Sequence, residues 1–130
     1  MTNDLHAERR DPEQPEGALD LVEAARELLE QARELAAGRA ARTLTPGAGA
    51  SLKQTLLAIA TGQRLDEHQT PGPATLHVLV GDLIMRTGDT ELQLRQNHWA
   101  AIPPASHDLR AETDAVVLLT VATEPARDTD

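Results

Sequence analysis

The chain has 130 residues, a formal net charge of −9, 25% charged and 1% aromatic residues, and no cysteine. That length holds one domain core, the lack of cysteine excludes disulfides and thiolate metal sites, and acidity with a single tryptophan disfavours phosphate binding and base stacking. The N-terminus lacks a signal-peptide apolar run and no stretch nears the roughly 20 apolar residues of a membrane span, so a cytoplasmic protein without nucleic-acid or membrane partners is expected.

Residues 1–16 carry Asp4, Glu8, Asp11, Glu13 and Glu16 and almost nothing apolar, which predicts a disordered acidic tail. Residues 17–38 follow a different rule. Leu21, Val22, Ala25, Leu28, Leu29, Ala32, Leu35 and Ala36 recur at three- and four-residue steps, which predicts one amphipathic helix from Ala18 to Ala37, ended by Gly38. The stripe suits docking on the chain's own domain better than a coiled coil.

Residues 39–122 read as short β-prone runs between turns: ARTLT, SLKQTLLAIAT, ATLHVLV, LIMR, TELQLRQ, WAAI, HDLRA and AVVLLTVA. Gly62, Gly81-Asp82 and Thr87-Gly88-Asp89 punctuate them. Leu92 and Leu94 alternate with Glu91, Gln93 and Arg95, so that strand should have one dry face. Strands at this spacing predict an antiparallel sandwich or small barrel. Residues 123–130 are expected to form a second disordered tail.

Two spacings stand out within this region. Gly62 precedes His68 by five intervening residues, Thr70 and Ala74 follow, and Gly81 closes the next strand; further on come Asn97, Pro103 and His107. The pattern resembles the two motifs of the small single-domain cupins, over roughly Leu52 to Val121. In that family the positions of Thr70 and Ala74 hold a second histidine and a glutamate, Asn97 stands for a glycine, and the Pro103-to-His107 segment is one residue longer. The resemblance implies a mainly β, antiparallel jelly-roll (cupin) barrel preceded by one N-terminal amphipathic helix. It also implies that His68 and His107 are what remains of a site for a divalent transition metal, normally three imidazoles and a carboxylate.

Other polar residues suit that role less. His77 lies three residues past Ala74, so the pleat turns it to the opposite face. Asp66 and Glu67 adjoin His68 on an irregular segment and read as solvated, His98 falls in a turn, and His6 lies in the tail. Three readings of His68 and His107 stay open: a metal site, part of a metal-free pocket, or hydrogen-bonded remnants. The candidate ligand-binding residues are His68, His107, Leu76, Val78 and Trp99, with further aliphatic lining from Val80, Leu92, Leu94, Ile102 and Leu109. Trp99 could stand at a pocket mouth, but core or interface packing is the better reading of a sole aromatic.

The function expected is a non-catalytic bacterial cupin that binds a small molecule in its barrel, of a regulatory kind. The alternative is a metal-dependent oxygenase or isomerase using His68 and His107. A third reading has the acidic helix and tails engaging a basic partner. A homodimer is implied by the resemblance, with ARTLT a candidate edge strand.

Overall fold

Asp20 sets where the helix begins. In the computed structural model, which describes residues 17–45, 51–68 and 72–123, its carboxylate accepts from the backbone N–H groups of Val22 and Glu23, both at 3.1 Å. These are orphan donors of a first turn, so helix α1 runs Leu21–Glu34 and Ala18 and Leu19 stay outside it. The far end is also shorter than predicted. Leu35 is already extended, and Gly38, with φ of 69°, closes a turn by donating to the Leu35 carbonyl at 2.9 Å. The two predicted tails, residues 1–16 and 124–130, lie outside the described residues.

Nine strands follow among the described residues, all paired antiparallel. They are β1 (Arg39–Thr43), β2 (Leu52–Ile59), β3 (Arg64–His68), β4 (Ala74–Val80), β5 (Leu83–Thr87), β6 (Thr90–Leu94), β7 (Trp99–Ile102), β8 (His107–Ala111) and β9 (Ala115–Ala122). One sheet has the order β1-β2-β9-β4-β7 and the other β3-β8-β5-β6. The expected mainly antiparallel β architecture with one helix is present. The strand β3 corrects the sequence reading, which left Asp66 and Glu67 on an irregular segment. RLDEH has one apolar residue and no alternation to betray it.

Period-two alternation sorts the strand residues into two clusters. Between the sheets lie Ile59, Leu76, Val78, Leu83, Met85 and Leu109 with their neighbours. Under the helix, on the outer face of the five-stranded sheet, lie Leu56, Ala58 and Val116, packed by Ala24, Ala25, Leu28, Leu29 and Ala32. On β6 only Leu94 is buried; Leu92 is exposed, because β6 is the last strand of its sheet and has no further neighbour to cover it.

The turns explain part of the motif spacing. Gly62 and Gly81 have φ of 81° and 83°, and Asn97 has φ of 70°. Asn tolerates the left-handed region, so it fills a glycine position at modest cost. Its N–H donates to the Val78 carbonyl at 2.7 Å, tying the turn before β7 to β4. A Cβ at Gly81 would run into the Asp114 carbonyl oxygen.

Candidate functional site

His107 opens β8 and is 1% exposed. It shares a strand face with Leu109 and Ala111, which belong to the inter-sheet core, so its imidazole is packed between the sheets. Nδ1 lies 3.2 Å from the Ala105 carbonyl oxygen, a contact that fixes the ring when Nδ1 carries the proton.

The register brings position 68 opposite His107. Leu65 pairs with Leu109, and the next pair is His68 with His107, which is three steps along β3 against two along β8. A bulge absorbs the extra residue. Without it Glu67 would stand opposite His107, so one inserted residue decides which side chain type occupies that place. The pairing is a relation of backbones; the side chains of Glu67 and His68 lie outside the description.

Leu76 and Val78 are fully buried in the inter-sheet core. Trp99 is not brought to them. It pairs with His77 while Ala100 pairs with Leu76, so alternation puts Trp99 on the outer face, where it is 63% exposed. His77 keeps to the face opposite Leu76, as its spacing predicts, and pairs with Leu118 on its other side. His98 is committed to its turn: its Nδ1 accepts from the Arg95 N–H at 3.0 Å.

Whether these residues suit a transition metal depends on the donors. Ala74, at the expected glutamate position, is a buried methyl within the apolar inter-sheet cluster. Thr70, at the second histidine position, lies outside the described residues. Among the described residues no three His, Asp or Glu side chains gather into a possible metal site. Among the described residues His107 is one donor and the Ala74 methyl replaces the expected carboxylate, which is a poor fit for a metal that the intact pattern holds with four donors.

The sequence reading missed a cavity of about 250 Å³. Arg39, Ala40 and Ala41 of β1, Leu57, Ala58 and Ile59 of β2, and Leu65 of β3 line it. It sits where the edge strand of one sheet faces the edge strand of the other, β1 against β3. No ladder joins those two edges. Instead Arg39 Nη1 donates to the Arg64 carbonyl across the seam at 2.8 Å. His107, Leu76, Val78 and Trp99 are not among the lining residues. The only sequence signal was a run of small residues on a β-prone segment, which packing against a neighbour would explain equally well.

On the outer face of the four-stranded sheet, Asp108 is buried to 8% exposure and pairs with Arg86 Nη2 at 3.1 Å. The guanidinium offsets the cost of removing that carboxylate from water. Arg64, Arg110 and Glu91 complete a shallow polar hollow there.

No protein-family model and no curated protein matches the chain. Solved structures do. A cupin superfamily protein from Desulfitobacterium hafniense aligns at 15% identity, covering 66% of this chain and 78% of its own, with a TM-score of 0.61. An RmlC-like cupin from Shewanella frigidimarina aligns at 18%, covering 73% and 83%, with a TM-score of 0.59. A salicylate 1,2-dioxygenase from Pseudaminobacter salicylatoxidans aligns at 16%, covering 77% of this chain but 33% of its own, with a TM-score of 0.66. At these identities the likeness is one of fold.

Proposed function

We propose that this small cupin-fold domain is a non-catalytic module, of a regulatory kind, that binds a small apolar molecule between its sheets. The observation that carries the reading is the cavity of about 250 Å³ with aliphatic walls at the β1–β3 seam. Concave, mostly apolar hollows with a few polar groups are the usual form of a ligand site. The methyl of Ala74 where a carboxylate donor is expected supports binding over metal chemistry.

The test is a titration of isotope-labelled protein with a panel of small apolar compounds. Chemical-shift changes clustered on Ala41, Leu57, Ile59 and Leu65 are expected. Ala41→Phe, which fills the hollow from an exposed edge position, should remove them. Shifts scattered over the surface, or unchanged by the variant, would defeat the reading.

A second reading, a metal-dependent enzyme of oxygenase or isomerase type, draws on the His68–His107 register pair. Elemental analysis of untagged protein separates the two. Substoichiometric Fe, Mn, Ni, Cu and Zn are expected. A stoichiometric metal lost in the His68→Ala, His107→Ala double variant would replace the binding module with the enzyme. The expected partners are the small ligand and a second copy of the chain, for which the exposed Trp99 is the natural probe.

A further inference from the structure

We infer that the seam cavity selects a small apolar monocarboxylate, its carboxylate on Arg39 and its tail against Leu57, Ile59 and Leu65; this assigns a ligand class and rests on the binding reading above. The lining residues are aliphatic apart from Arg39. Arg39 is half-buried, and its Nη1 is held by the Arg64 carbonyl at 2.8 Å. That bond uses one of the five N–H donors of an arginine and fixes the plane of the rest.

No carboxylate pairs with Arg39 among the described residues; the same is true of Arg26, Arg42, Arg95 and Arg110, but of these Arg39 alone lines the hollow. A guanidinium does not lose its proton near neutral pH, so the hollow keeps one positive charge beside apolar walls. An anion gains a charge-assisted hydrogen bond there, and a cation is repelled. In a chain of net charge −9 this preference is local to the hollow and owes nothing to the overall field.

Size and wall chemistry narrow the class further. At about 250 Å³ the cavity is smaller than the roughly 300–1,000 Å³ of sites for larger ligands. Sugars and nucleotides would also bring hydroxyl or amide groups against alanine, leucine and isoleucine, where each lost water contact goes unreplaced. A short alkyl chain ending in a carboxylate meets neither objection.

The experiment compares hexanoate, 1-hexanol and hexylammonium by calorimetric titration, at one ionic strength, on the full chain. Hexanoate is expected to bind at least tenfold more tightly than hexanol, and hexylammonium not to bind. Arg39→Gln should bring hexanoate down to the hexanol level, Arg39→Lys should retain part of the preference, and Ala41→Phe should abolish binding of both. Equal affinity for hexanoate and hexanol, unchanged in Arg39→Gln, would overturn the carboxylate assignment while leaving the binding module standing. Absence of binding by all three compounds to a folded wild-type chain would overturn both.

Discussion

Arg33 of the helix and Asp114 of the turn before β9, 81 residues apart, meet through two hydrogen bonds to one carboxylate oxygen, from Nε at 2.9 Å and Nη2 at 2.6 Å. The other oxygen accepts from the Thr61 N–H at 2.9 Å and its hydroxyl at 2.8 Å. One carboxylate thus ties the helix, the β2–β3 turn and the β8–β9 turn. The Thr61 N–H, then Arg33, hold its pKa below the ordinary 3.8. A lowered folded pKa contributes stability that is present above the unfolded value and lost as pH falls through the folded one. Stability should therefore drop below about pH 4. Asp114→Ala should cost about 1–2 kcal/mol at pH 7, discounted for the exposed Arg33, and flatten the acid limb of a urea-unfolding series. An acid limb as steep in the variant as in wild type would contradict the assignment.

Gly81 and Gly88 make a paired test of backbone against crowding. Both have positive φ, 83° and 58°, but a Cβ at Gly81 meets the Asp114 carbonyl while one at Gly88 meets nothing within 4 Å. Gly88→Ala should cost about 1 kcal/mol from conformation alone, and Gly81→Ala at least about 2 kcal/mol more. The difference is read from denaturation midpoints at unchanged slope. Equal losses would mean that the β8–β9 turn moves aside freely.

Under the helix, Leu56 is fully buried against Ala25, Leu28 and their neighbours. Leu56→Ala should destabilise by about 2–5 kcal/mol, whereas the cap variant Asp20→Ala should lose about 1 kcal/mol. Hydrogen exchange should assign the Asp20→Ala loss to the first turn of the helix. If Leu56→Ala costs no more than the cap, the helix is not packed on the sheet as described.

Trp99 provides a direct reading of self-association, since it is the chain's only tryptophan. It is 63% exposed, beside His77 on the outer face of the β7 edge. If a second copy covers it, emission should shift to shorter wavelength as concentration rises, in step with a dimer in sedimentation. Trp99→Lys should yield monomers whose unfolding midpoint matches that of wild type diluted until it is monomeric, because an exposed side chain contributes little to the monomer fold. A monomer at every concentration would remove the second copy from the expected partners.

Local pattern was enough for the helix core, for eight of the strand segments and for the turns at Gly62, Gly81 and Asn97. The strand Arg64–His68 escaped because its polar residues satisfy neither the helical nor the strand period. For Trp99 the sequence favours core or interface packing, but aromatic character alone does not choose a face; its pairing with His77 does, and puts it outside the core.

The periodicities, the charge and the positions where only glycine or asparagine turns cheaply are legible in the chain alone, since each depends on composition or on neighbours a few residues away. Which distant residues meet is settled only when the sheets assemble. The bulge that opposes His68 to His107, the clamp joining Arg33 to Asp114, and the hollow behind Arg39 all arise from register and from how two sheets meet at their edges. Those choices are fixed by pairing energies summed over the whole domain, and a one-residue shift in any ladder would rewrite them without changing a single local pattern.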